Sequence, residues 1–129
     1  MAATPQPFSF TGNLQLAADQ SLPQDPIPFN VSSQFTSLQE SVLNLTTPGT
    51  QAIPFGTVGA PGAKGLLIRY DAPQAGAQPV LVTLNSGSAP TEISPGGMLL
   101  IFNPNPASGI ISASIVFTAA CVLRVWVLG

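Results

Sequence analysis

The chain has 129 residues and very little charge: three Lys and Arg, five Asp and Glu, no His, and a formal net charge of −2. Charged residues make up 6% of it, where about 25% is ordinary for a soluble domain. Hydrophobic residues make up 45%, and the mean hydropathy is +0.40. Disorder requires low hydrophobicity and high charge, so that class is excluded. With Lys64, Arg69 and Arg124 as its cations, the chain cannot neutralise a run of phosphates, and no nucleic-acid partner is expected. The length fits one domain able to bury a sizeable core. A surface so poor in charge tends to associate, so a permanent assembly is expected.

In chain order, residues 1–28 carry Pro5, Pro7, Pro23, Pro26 and Pro28. Between the prolines, Phe8, Phe10, Leu14 and Leu16 share one parity. This pattern predicts a strand or extended arm with one apolar face. Residues 17–28 follow as a rigid, irregular connector. The segment is either the first strand of the fold plus a long loop or an arm reaching a neighbouring subunit. Phe29, Val31 and Phe35 alternate with polar residues and predict a second strand. Residues 38–46 also fit helical spacing, but their β-rich surroundings and the Thr-Thr-Pro-Gly stop favour a strand. A short strand is expected over residues 51–55, at a sheet edge because of Pro54. Further strands are expected over 66–71, 80–84 and 91–94. The last third of the chain holds three apolar runs separated by Pro, Gly and Asn. The total is eight to ten short antiparallel strands and no convincing amphipathic helix.

Residues that carry chemistry are scarce. Without histidine there is no Ser-His or Cys-His pair and no imidazole metal ligand. Asp19, Asp25, Glu40, Asp71 and Glu92 are scattered, whereas glycoside hydrolysis needs two carboxyls facing one bond and calcium needs several together. Asp71 and Glu92 are read as solvated loop residues. No catalytic residue, cofactor or metal site is expected, and the chain is not read as an enzyme. Lys64 is flanked by Ala63 and Gly65, so the glycine-rich stretch 56–65 is an inter-strand loop and not a phosphate loop. Cys121, the single cysteine, reads as a small buried hydrophobe. Trp126 reads as core or subunit interface. The N-terminal residues lack the basic start and apolar core of a signal peptide. The apolar stretch 110–128 has the length of a membrane helix, but Ser112, Ser114, Thr118 and Arg124 interrupt it. No membrane partner is expected.

From Leu45 onward the chain resembles a class of small bacteriophage virion proteins with a jelly-roll-like β-sandwich. The matching stretches are Gln51-Ala-Ile-Pro-Phe-Gly56, Ala63-Lys-Gly-Leu-Leu-Ile-Arg-Tyr-Asp71, Val80-Leu-Val-Thr-Leu-Asn-Ser-Gly87 and Ile93-Ser-Pro-Gly-Gly-Met-Leu-Leu-Ile-Phe-Asn103. A Ser/Ala/Ile strand and the ending Val127-Leu-Gly129 complete the pattern, which covers about two-thirds of the chain. Residues 1–28 and the long loop 72–79 depart from it. The resemblance implies a virion structural protein, of capsid decoration (cement) type or a tail or fibre component. The expected fold is all-β: an antiparallel, jelly-roll-like sandwich over residues 29–129 with a Pro-rich extended arm over residues 1–28. Expected partners are other copies of the chain, as a homo-oligomer and specifically a trimer, and the major capsid protein or other virion proteins. Expected localisation is the virion. Phe8, Phe10, Pro26, Pro28 and Phe29 are the candidate subunit-interface residues. In the tail reading, Tyr70 and residues 85–91 are the candidate glycan contacts.

Overall fold

The computed structural model of the chain describes residues 4–14, 27–71 and 75–129, and of Leu14, Ile27 and Phe29 the backbone only. The described residues hold ten strands and no helix. They are β1 (Gln6–Leu14), β2 (Ile27–Phe35), β3 (Leu38–Leu45), β4 (Gly49–Ala52), β5 (Gly65–Tyr70), β6 (Val80–Leu84), β7 (Thr91–Ile93), β8 (Met98–Phe102), β9 (Ala113–Phe117) and β10 (Cys121–Leu128). Every pairing is antiparallel. The strands β1 and β2 form a two-stranded ribbon. The other eight form two four-stranded sheets, in the orders β3-β10-β5-β8 and β4-β9-β6-β7.

Period-2 patterning explains why these runs become strands and which way they face. In β10, Cys121, Leu123, Val125 and Val127 are buried, and the alternate residues Val122, Arg124, Trp126 and Leu128 are not. The inward-facing residues of both sheets belong to one buried cluster, so the sheets face each other in a sandwich-like arrangement. Leu66, Ile68, Leu123, Val125 and Val127 of one sheet and Val80, Val82 and Ile115 of the other are at most 1% exposed. Each such burial contributes about 1.5–3 kcal/mol relative to an exposed side chain. Among the described residues no polar or charged side chain is buried, apart from the Tyr70 hydroxyl and the Cys121 thiol.

Two expected boundaries move. The fourth strand is Gly49–Ala52 and not residues 51–55: Ile53 N still donates to Ala113 O at 2.9 Å, and Pro54, without an N–H, cannot continue the pairing. The ninth strand begins at Ala113, and before it Asn85 takes up Gly109 O, Ile111 N and Ser112 N. The apolar stretch 110–128 is mostly β9 and β10. The 28/29 boundary expected between arm and sandwich falls inside β2.

Turn chemistry places the strand ends. Asn85 and Ser86 have φ of 52° and 56°, and Gly87 N donates to Leu84 O at 2.9 Å, a turn with two positive φ angles that ends β6 and opens the loop 85–90 leading to β7. Before β8, Ser94-Pro95-Gly96-Gly97 closes with Gly97 N on Ser94 O at 2.9 Å; Gly96, at φ 83°, supplies the positive angle a type II turn needs. Gly62 and Gly109 let two loops touch backbone to backbone, since a Cβ on Gly62 would lie 2.6 Å from Gly109.

Candidate assembly surface

Strand register assigns every side chain on the outward face of the β3-β10-β5-β8 sheet. Directly paired residues share a face, so the face reads as rows across the strands. The first row is Leu38, Leu128, Gly65 and Phe102. The second is Glu40, Trp126, Leu67 and Leu100, and the third is Val42, Arg124, Arg69 and Met98. Asn44 and Val122 begin a fourth. An outward face would ordinarily alternate apolar-in with polar-out; this one is apolar at most positions. Leu38, Val42 and Met98 are 50%, 60% and 62% exposed. The outward face of the other sheet is mixed, with rows Thr50-Val116-Leu81-Glu92 and Ala52-Ser114-Thr83.

One corner of the apolar face is covered by the chain itself. The ring of Phe102 meets those of Phe8 and Phe10, with centroids 5.7 and 5.1 Å apart, and Phe8 also meets Phe35 at 6.0 Å. Such ring pairs add about 0.5–1.5 kcal/mol each beyond burial. Gly65 makes room for this stack: a Cβ there would lie 2.9 Å from Phe102. Polar ties hold the β1–β2 ribbon at the same end. Ser33 Oγ donates to Pro104 O at 3.1 Å, Lys64 Nζ donates to Gln34 O, and Thr36 N and Ser37 N donate to Gly129 O at 2.7 and 3.2 Å. Beside the stack an open apolar groove of about 320 Å³ runs between Phe10, Leu38, Leu67, Leu100, Trp126 and Leu128.

Among the expected interface residues, Phe8 and Phe10 thus lie together, half-buried on Phe102. Pro28 is exposed on β2, opposite Asn13. The Phe29 backbone pairs with Gly12, its side chain lies outside the described residues, and so does Pro26. Trp126 is half-buried on the outward face, not in the core between the sheets. The chemistry of β10 carries the signal for this: Trp126 shares parity with Arg124, and a guanidinium at 6% total charge does not point into an apolar core.

At the opposite end of the sheet a hollow of about 350 Å³ is lined by Arg69, Tyr70, Asp71, Cys121, Val122 and Arg124. Arg124 Nε donates to Asp71 Oδ2 at 3.3 Å, with the Arg124 side chain 51% exposed. A pair so wet contributes at most about 1 kcal/mol. Tyr70 is buried, and its hydroxyl donates to Gln78 O at 2.9 Å. Burial raises the Tyr70 phenol above its usual range, and the neighbouring Cys121 thiol adds to the rise. Burial likewise raises Cys121, partly offset by its hydrogen bond with Tyr70. The thiol is therefore held protonated, the opposite of what a nucleophile requires. Glu92 lies on the outward side of the other sheet, so it and Asp71 do not meet. Among the described residues no three His, Cys, Asp or Glu gather as metal ligands.

The candidate glycan contacts are also separated. The strand β5 runs from Gly65 to Tyr70 and β6 returns from Val80 to Leu84, so the turn after Leu84 lies at the Gly65 end. Asn85, at that turn, holds a neighbouring loop: its Oδ1 accepts from Ile111 N at 2.8 Å and Ser112 N at 3.3 Å, and its Nδ2 donates to Gly109 O at 3.0 Å. Comparison with protein-family models, with curated proteins and with solved structures gives no match.

Proposed function

We propose that this chain is a non-enzymatic structural subunit of a bacteriophage particle, a capsid decoration protein that bridges shell subunits as a homo-oligomer. The observation that carries the reading is the order of the strands. Counted from β3 to β10 as first to eighth, the sheets run first-eighth-third-sixth and second-seventh-fourth-fifth. That is the order produced when a long antiparallel ribbon of eight strands is rolled up, the double Greek key of a jelly roll, a fold frequent in viral shells. It agrees with the resemblance of residues 45–129 to phage virion proteins. Fold alone does not imply function, and the rest of the support is chemical. The chain carries no histidine, burial raises its one thiol above the usual range, and the outward face of the β3-β10-β5-β8 sheet is apolar at most positions.

A decoration protein works by burying surface in many equivalent copies, so that modest contacts add up through multivalency. Cryo-electron microscopy of the native particle, with the chain identified by mass spectrometry, tests the reading. Density for this fold on the shell is the expected result. Density confined to the tail would replace it with the tail or fibre reading, and absence of the chain from particles would overturn both.

A further inference from the structure

We infer that the uncovered part of the β3-β10-β5-β8 outward face is the surface on which a second copy of this chain docks, related by a twofold axis perpendicular to the strands. The inference rests on the assembly reading above and specifies the surface and the symmetry.

Three observations favour a second copy. The first is area. With strands about 4.8 Å apart and same-face residues about 6.8 Å apart, three rows of four strands and the two positions of the fourth cover on the order of 450 Å² in projection, the corner under the ribbon included. That matches the largest patch of a monomer, about 300–600 Å² and often functional, and the edges around it must add area to reach the roughly 800 Å² per partner of a stable interface. The second is charge. The row holding Glu40 and Trp126 adjoins the row holding Arg124 and Arg69. An axis perpendicular to the strands turns one row onto the other: Arg124 of each copy then comes over the Trp126 ring of the other, with Glu40 beside it. Cation–π contact and ion pairing both favour that placement. An axis parallel to the strands would instead set Arg124 over Arg69, like charge on like. The third is shape. The β1–β2 ribbon rises over the Phe102 corner at the Gly65 end. The perpendicular axis sets each ribbon beside the other copy's far end, whereas the parallel axis would crowd both ribbons onto the same end of the face.

The test uses the full chain. Val42 and Met98 are exposed in the single subunit, across from Arg124 and Arg69 of their own row, so Val42→Glu with Met98→Glu leaves the fold intact while setting one carboxylate over Glu40 of the other copy and the second over its Leu100. Analytical ultracentrifugation should find the unaltered protein as a dimer. The double variant should dissociate with a constant roughly a hundredfold or more higher, because like charges set face to face and a charge set on apolar surface are both costly, and circular dichroism should be unchanged. Leu81→Lys with Val116→Lys, on the other sheet's outward face, should leave the dimer as it is. An unaltered protein that is monomeric or trimeric, or a Val42/Met98 variant that stays dimeric, overturns the inference. A monomer still found on the particle shell would do so while leaving the decoration reading standing.

Discussion

Asn85 performs three tasks with one side chain. It adopts a positive φ that few residues tolerate, starts the turn between β6 and β7, and holds residues 109–112 through three side-chain hydrogen bonds. Asn85→Ala should therefore lose the loop contacts and add backbone strain, costing about 1–3 kcal/mol in urea denaturation. Asn85→Gly loses the same hydrogen bonds without the strain and should cost less; equal losses would mean the backbone strain contributes nothing. The turn is visible in the sequence as Asn-Ser-Gly, but its grip on residues 109–112 is not, since it joins groups 24 to 27 residues apart. The Tyr70–Cys121 pair yields a pH dependence. Both groups are acids whose neutral forms the fold favours, so their folded pKa values lie above the unfolded ones. Between the two values the native state binds more protons, and stability falls as pH rises. It should be fully present below the ordinary thiol and phenol values, about 8.5 and 10, and decline above them. In thermal melts from neutral pH to pH 11, Tyr70→Phe should flatten that decline; an unchanged slope would remove the phenol as its cause.

At the scale of elements, parity was the most legible property of the chain. Alternation marks β1 and β2, the β-rich surroundings and the Thr-Thr-Pro-Gly stop mark β3, and in β10 the parity that Trp126 shares with Arg124 places it outward. What could not be read was which strand pairs with which, because β10 meets β3 and β5 across more than 50 residues of chain. The cross-strand partner of Gly65 was equally hidden. Phe102 lies over the glycine, covering backbone that a side chain would otherwise cover, and so becomes the seat for Phe8 and Phe10. Phe102→Ala should free the ribbon while sparing the core between the sheets, in which Phe102 takes no part. The expected outcome is cleavage by a nonspecific protease within β1 or β2 at least tenfold faster than in the unaltered chain, with a small change in global stability, about 1–2 kcal/mol. Cleavage at unchanged rate would show that the polar ties of Ser33, Lys64 and Gly129 hold the ribbon without the ring stack.

For the whole molecule, the pairing order sets how stability is shared. Of the six pairings in the two four-stranded sheets, only β6–β7 joins consecutive strands; the others join β3, β10, β5 and β8, or β4, β9 and β6, across intervening elements. Neither sheet can therefore form piecemeal, and the loop-closure entropy of the distant pairings must be met before the core between them rewards it. The two sheets should open together, as one cooperative unit. The β1–β2 ribbon differs. It is one local pairing outside both sheets, tied to them through the Phe102 stack and a few polar contacts at one end. Native-state hydrogen exchange should separate the two units: β5, β9 and β10 amides exchanging only through global unfolding, and β1–β2 amides through a smaller opening. Ile115→Ala sharpens the contrast. Ile115 is 0% exposed at the centre of β9, and its truncation should cost about 2–5 kcal/mol. Protection of the β5 and β10 amides should fall by that full amount, and protection of the ribbon amides should stay where it was. If both fell together, the ribbon would belong to the same cooperative unit as the sheets, and Phe8 and Phe10 would act as part of its core.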